Sequence, residues 1–287
     1  MLTRRSLLVA AGTAALVSPA IVRAQGRPTI KVALAPSQPT QAETLKVWEP
    51  IYQGVCDQIG ADLDMTVAND WAGVSVAIGS EQADVAQLGP WGYVLAKNSS
   101  GTRIINVMLV NGKPTYHGLI VARADLEIAS FPEDAEGLSM QMLDTGSTTG
   151  WMVPTHYFRS QGIDPKSYFG RYAEGASAAA AQMATINGQV DLATGWDTHR
   201  NTMIRNGLMA EGDNKVVWQS APLPNEPIVV RRSMDDELAS ALQAAFNGLD
   251  ADALASLPYP YTGFETATHE PYAVLEEMGR DLGVLKA

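Results

Sequence analysis

Apolar positions along this chain switch between two spacings. "PTIKVALAP" (Pro28 to Pro36) reads as a strand that ends in a proline-rich loop. "AETLKVWEPIYQGVCDQIG" follows it with helical spacing at Leu45, Trp48, Ile51, Tyr52 and Val55. Pro50 is expected to kink that helix and Gly60 to stop it. "DLDMTVAND" alternates as a strand does. "WAGVSVAIGSEQA", "DVAQLG" and "WGYVLAKNSS" then predict helix, short buried strand and helix. "RIINVMLVNG" and "YHGLIVAR" are strands on either side of "GKPT".

The second half repeats the alternation. "EGLSMQMLD" is a strand, followed by a hydroxyl-rich loop and the helix "WMVPTHYFRSQG", closed by Gly162. "SYFGRYAEG" is extended, "SAAAAQMATING" is helical with Gly188 at its end, "QVDLATGW" is a short strand, and "DTHRNTMIRNG" is a helix. "NKVVWQS" and "NEPIVVRRS" are strands, and Ser233 with Asp236 suggests a capping box for "DDELASALQAAFNGL". Strands that alternate with helices throughout predict an α/β fold with mostly parallel sheet. One pattern recurs. "VAIGSEQADVAQLGPWGY" and "ATINGQVDLATGWDTHR" share a helix end, a polar turn, an Asp-hydrophobic-Ala strand and an aromatic-rich loop, as two α/β lobes with related units would produce.

The first residues stand apart. Arg4 and Arg5 lead into an apolar run from Leu7 to Val17, and Val22-Arg23-Ala24 follows with small residues. This is the anatomy of an export signal over residues 1–24, cleaved near Ala24 to release a periplasmic protein; the paired arginines resemble a twin-arginine signal, with a plain Sec signal or an N-terminal anchor as the alternatives. The run is too short for a hydrocarbon core, which needs roughly 20 residues. Removing the three arginines of this segment takes the formal charge from −11 to −14. So acidic a chain is not expected to bind nucleic acid, which requires a basic face. An anionic ligand remains compatible, because backbone amides and hydroxyls can hold one locally. Cys56 is the single cysteine, so no internal disulfide forms, and its place on an apolar helix face makes it a small buried hydrophobe.

The stretch "GSTTGWMVPTHYF", Gly146 to Phe158, gathers three hydroxyls between two glycines ahead of a helix. The bland use is an N-cap; the functional one is to hold an oxyanion. Pro154 is comfortable only in a first helical turn, so the helix begins near Val153 or is distorted before it, leaving amides around Thr149 to Trp151 free.

In order along the chain, "ANDWAGVSVAIGSEQADVAQLGPWGYVLA", "DTGSTTGWMVPTHYF", "INGQVDLATGWD" and "LPNEPIVVRR" resemble the phosphate/phosphite/phosphonate-type substrate-binding proteins of ABC importers. The resemblance runs from about Ile30 to about Val230. It implies a two-lobed type II periplasmic binding protein fold, with mixed sheets flanked by helices and a ligand cleft between the lobes. One lobe comprises residues 25–113 and 220–287, the other residues 114–219, and crossings near "NGKPTY" and "QSAPLPNEP" form a hinge. It also implies that Ser147, Thr148 and Thr149 supply hydroxyls and amides to an oxyanion, that Tyr93 reaches the ligand from the other lobe, and that Asp197 accepts a proton or an amine. One departure stands out. Many relatives carry a histidine shortly after the glycine equivalent to Gly175, whereas "EGASAAAAQ" has Ser177 and Ala178 there.

Four of the six tryptophans, Trp71, Trp91, Trp151 and Trp196, fall on segments that this reading places at the cleft, with Tyr93 and Tyr116 on similar ones. An aromatic wall suits a ligand bulkier than bare phosphate; the bland alternative is that each ring fills a helix–sheet seam. The ligand-binding set is therefore Ser147, Thr148, Thr149, Asp197, Tyr93, Trp71, Trp196, Trp151 and Tyr116. Glu174 is either a second amine acceptor or a solvated loop acid. His117, His156 and His199 make no metal motif, and Ser147 with His156 and Asp197 lacks the GxSxG elbow of a hydrolase. No metal, cofactor or catalytic residue is expected. The reading is a monomeric binding protein that delivers a phosphonate-like oxyanion, with or without an amine, to an inner-membrane ABC permease. The alternatives are an accessory to a sensor kinase, and a periplasmic hydrolase or cofactor-precursor enzyme on the same fold.

Overall fold

The computed structural model describes residues 27–38 and 40–286, so the export segment lies outside the described residues. In chain order the first strands are β1 (Thr29–Leu34), β2 (Asp62–Val67), β3 (Val85–Gln87), β4 (Arg103–Val110), β5 (Thr115–Tyr116), β6 (Gly118–Arg123) and β7 (Ser139–Leu143). They are followed by β8 (Arg171–Ala176), β9 (Leu192–Trp196), β10 (Asn214–Gln219), β11 (Leu223–Pro224), β12 (Pro227–Val230) and β13 (Tyr261–Thr266). The helices are α1 (Gln41–Gln58), α2 (Trp71–Gly79), α3 (Pro90–Ser100), α4 (Val153–Ser160), α5 (Pro165–Tyr168), α6 (Ala178–Ile186), α7 (Asp197–Arg205), α8 (Asp236–Asn247), α9 (Ala251–Ala255) and α10 (Ala273–Asp281).

Six strands form one sheet in the order β13-β4-β12-β3-β1-β2, and five form another in the order β10-β6-β9-β7-β8. Both are mixed rather than mostly parallel: β12 runs against β3 and β4, and β6 runs against β9 and β10. The reason lies in the connections. β4 ends where the chain leaves the first sheet, and β6 and β12 each begin at a crossing. They therefore run opposite to the strands that end there. The two crossing segments pair with each other, β5 with β11, as a two-stranded antiparallel ribbon.

Each sheet is covered on both faces, following the alternation of side chains along a strand. On β1, Ile30, Val32 and Leu34 join a core with Trp48, Tyr52, Leu242 and Phe246 of α1 and α8, while Ala33 faces α2 and α3. On β6, Ile120 and Ala122 meet Phe158 and Phe169, while Leu119 and Val121 meet Ala181 of α6. Cys56 is buried in the first of these cores. The related units of the sequence are α2-β3-α3 in one half and α6-β9-α7 in the other.

α1 runs on through Pro50 as a single helix, because Tyr52, Val55 and Cys56 beyond it are buried together with Trp48 and Ile51 before it. One local expectation is corrected. The cap of α8 is Asp235, which accepts the amides of Glu237 and Leu238, whereas Ser233 donates its hydroxyl to Glu81.

Candidate functional site

β7 delivers the chain into a π-helical turn, Thr148–Met152, that continues as α4. Pro154 explains the wider turn: it has no N–H to give the carbonyl of Gly150, which instead accepts the Thr194 hydroxyl of β9 at 2.6 Å. Ser147 caps the turn, its Oγ accepting the Gly150 amide at 3.2 Å. The Ser147 carbonyl takes the amides of Trp151 and Met152. The free donors therefore sit one step earlier than expected: among the described residues the amides of Thr148 and Thr149 have no protein acceptor.

Ser147, Thr148 and Thr149 are almost wholly buried. They line one small cavity with Tyr116, Trp71, Trp196, Gly89 and Glu226. Its volume is about 10 Å³, room for one water-sized group. The Thr148 and Thr149 hydroxyls lie against the phenol of Tyr116, whose pKa burial raises well above its usual value. Among the described residues no lysine or arginine lines this cavity.

The cavity exists only where the two sheets' halves meet. Thr148 Oγ1 accepts the Trp91 amide at the start of α3, at 2.9 Å, which leaves its own proton free to donate. Gly89, the N-cap of α3, leaves room for this approach: a Cβ there would stand 3.3 Å from both Thr148 Oγ1 and the Trp71 ring, a tight contact. A second cross-contact lies beside it. The Asp144 carboxylate, which accepts the Gly146 amide at 3.0 Å, lies near the backbone amides of Trp71 and Ala72 at the N-terminus of α2. Its pKa is raised by burial and by nearby Asp70, although those amides pull it down. Gly146 lies so close that a Cβ would fall 2.5 Å from the Ala72 amide nitrogen.

Trp71 and Trp196 meet edge to face across the same junction, with centroids 6.0 Å apart. Beyond them opens a larger compartment of about 420 Å³, between residues 36–38, 40–41 and 68–71 on one side and residues 175–179 and 196–208 on the other. It presents Gln38, Asn69, Asp70, Ser177 and His199 among others. The His199 ring leans on Trp196, with centroids 4.9 Å apart, and its Nδ1 has no hydrogen-bond partner among the described residues. Burial lowers its pKa to about 4, so the imidazole is neutral near pH 7.

The structure thus brings together Ser147, Thr148, Thr149, Tyr116, Trp71 and Trp196. It does not bring the other three into that cavity. Tyr93 is buried against Tyr272, and its hydroxyl pairs with His269 Nδ1 at 3.1 Å. Trp151 faces the outer wall, where its indole donates to Glu174 at 3.0 Å in a separate depression of about 330 Å³. Asp197 stands behind the cavity at the start of α7, its Oδ1 accepting the amides of His117 and Thr198. Trp91 is fully buried beneath Gly279 of α10, so its ring is packing. Glu174 is an exposed acid that accepts from Tyr172 as well as Trp151, and it lies outside the inner cavity. His117 pairs with the Ser220 carbonyl and His156 with Asp281. No group of three metal-ligating side chains is found among the described residues.

Glu226 is the site residue that pattern reading passed over. It lies between β11 and β12, inside the quoted stretch "LPNEPIVVRR", where its neighbours Asn225 and Pro227 make it look like a turn acid. Instead it is 7% exposed. Its Oε2 accepts Gln87 Nε2 and the Tyr261 hydroxyl, each at 3.2 Å. Burial pushes its pKa up to about 7, although those two hydrogen bonds pull it down. Its neighbours in the chain gave no signal, since its burial, the property that singles it out, is shown only by the fold.

The family described as the periplasmic substrate-binding protein of phosphonate ABC transporters matches residues 32–272. The phosphate-import protein PhnD of Mycolicibacterium smegmatis is 26% identical over 252 residues, covering 83% of this chain and 78% of that protein. Among solved structures, PhnD1 of Prochlorococcus marinus in complex with methylphosphonate superposes with a TM-score of 0.79 at 16% identity, covering 90% of this chain and 99% of that one. A binding protein component of an ABC phosphonate transporter from Pseudomonas aeruginosa gives a TM-score of 0.75 at 24% identity, covering 90% and 96%. These two likenesses establish the shared type II fold. The match over most of the chain settles the rest: the protein belongs to the family of periplasmic substrate-binding proteins of phosphonate ABC transporters.

Proposed function

We propose that this member of the family captures a phosphonate-class oxyanion bearing an organic substituent, closes over it, and presents it to the transporter's membrane permease as a monomer. The observation that carries the reading is the convergence of the Ser147, Thr148, Thr149 and Tyr116 hydroxyls on one buried cavity at the junction of the two halves. Hydroxyls there, with the free amides of Thr148 and Thr149, can donate to an anion's oxygens without any cation. Trp71 and Trp196 form the wall that an organic substituent would cross, and the larger compartment beyond them is where it would extend. Asp197 takes a supporting role in this reading, holding the His117 amide behind the cavity. The acid that faces the ligand is Glu226. The paired ribbon β5–β11 is the hinge about which residues 114–219 move relative to residues 25–113 and 220–287.

A thermal-shift panel of phosphate, phosphite, methylphosphonate, 2-aminoethylphosphonate, sulfate and alkylsulfonates tests the reading. A ligand at 100 times its Kd should add about 2.7 kcal/mol of stability. Phosphonates are expected to give the largest shifts, and Thr148→Ala to abolish them. A shift from sulfonates alone, or from phosphonates with Thr148→Ala unaffected, would sink the proposal.

A further inference from the structure

We infer that Glu226 makes oxyanion binding proton-coupled: the ligand's head is held as an acid–anion pair that shares one proton with the Glu226 carboxyl. The inference rests on the ligand class proposed above. Its footing is geometric. Glu226 lines the same small cavity as the hydroxyl loop, so any head group placed there lies against it. Its two oxygens are not equivalent. Oε2 is held by Gln87 and Tyr261, whereas Oε1 accepts no hydrogen bond from the described residues. Gln87 is itself fixed by the Tyr52 hydroxyl, so the carboxyl is oriented from behind and open towards the cavity.

The charges around it leave little choice. The titratable groups packed near the carboxyl are the phenols of Tyr52, Tyr116, Tyr261 and Tyr272, all of which burial keeps neutral. Glu226 is in no ion pair among the described residues, and no lysine or arginine lines the cavity. A dianion beside an ionised Glu226 would place like charges together in a desolvated site. A single proton removes the conflict, whether it is carried on the carboxyl or on a P–OH. Either way, one acidic hydrogen bridges the two groups, and the complex holds one proton more than the fully ionised partners. A burial-raised carboxyl, with its pKa near 7, has that proton available close to neutral pH.

The test is isothermal titration calorimetry of methylphosphonate against wild type and Glu226→Gln from pH 6 to pH 9. Taking the ratio of the two affinities cancels the ligand's own ionisation. The expected ratio of wild type to variant falls by up to about tenfold per pH unit above pH 7, because the amide is a permanent donor and the carboxylate is not. Repeating the wild-type titration at pH 9 in buffers of different ionisation enthalpy should show about one proton taken up per ligand, a readout that does not depend on the variant's folding. A flat ratio with no proton uptake, while methylphosphonate still binds, overturns the inference and leaves the ligand class standing. A ratio that rises with pH also overturns it, since binding would then improve as Glu226 loses its proton. Failure of wild type to bind methylphosphonate at any pH overturns the ligand class, and the inference with it.

Discussion

The two compartments on either side of Trp71 and Trp196 are built from different chemistry. The inner one is about 10 Å³ and walled by buried hydroxyls, a phenol and one carboxyl. The outer one is about 420 Å³ and carries amides, two serines, two aspartates and an imidazole. Burial neutralises a titratable group in each, in opposite senses: it raises the acid Glu226 to about 7 and lowers the base His199 to about 4. In the proposed reading the fixed donors and the acid of the inner cavity, which must widen as the halves open to admit more than a water-sized group, would select a head group by shape and proton count. A roomy outer one can accept substituents of several sizes. The comparison shows where selectivity and tolerance would lie in a single cleft.

The largest effect should come from removing the inner acid. The folded pKa of Glu226, about 7, stands above the usual 4.5, so the stability it leaves intact below pH 4.5 is lost as pH rises through 7. Glu226→Gln should therefore be more stable than wild type at pH 8, by up to about 3 kcal/mol, and equal to it near pH 4. Denaturant melts at the two pH values measure this. Equal midpoints at pH 8 would show that the inner compartment tolerates a full charge.

Next in size is the seam that makes the two compartments one cleft. A Cβ at Gly146 meets backbone, not a movable side chain, and overpacking of that kind typically costs about 1–3 kcal/mol. Gly146→Ala is expected to weaken ligand binding by roughly five- to 150-fold while leaving each sheet's own core untouched. Unchanged affinity in calorimetry would mean that ligand binding does not need Gly146 seated on Ala72.

The outer base gives the mirror of the inner acid. The folded pKa of His199, about 4, lies below the usual 6.5, so its contribution is present above pH 6.5 and disappears as pH falls through 4. His199→Gln should flatten the acid limb of the stability profile by about 1–2 kcal/mol, the partly exposed ring being screened. An acid limb as steep as wild type's would separate His199 from it. The smallest effect belongs to the partition itself. Trp196→Leu removes an aromatic pair worth about 0.5–1.5 kcal/mol. It should weaken phosphonates with long substituents more than methylphosphonate, and equal losses for both would show that the wall does not separate head from substituent.

Much of this was legible in the residues. The hydroxyl run from Ser147 to Thr149 announced itself because a helix start leaves amides unpaired and small hydroxyls cap them. Pro154 announced a distorted turn, though not that Thr194 would take the orphaned Gly150 carbonyl. The tryptophans were ambiguous for a physical reason. Trp71 and Trp91 both lie at helix starts, yet one lines the cavity while the other is sealed beneath α10. Which partner covers an aromatic ring is a long-range contact that local spacing does not record. Trp151, three residues after Thr148, illustrates the same limit: the π-helical turn sends its ring to the outer wall, against Glu174.

By itself, the sequence determined the alternation of strands and helices, the repeated unit in each half, the acidic character and the loop of hydroxyls. These follow from periodicity, composition and capping, which act over a few residues. Tertiary structure alone decided that Gly146 seats on α2 and that Glu226 shares a cavity with Thr148. Burial is set by what arrives from elsewhere in the chain. The protonation of an acid is set by burial, so the chemistry of Glu226 could not be read until β12 and the hydroxyl loop had been brought face to face.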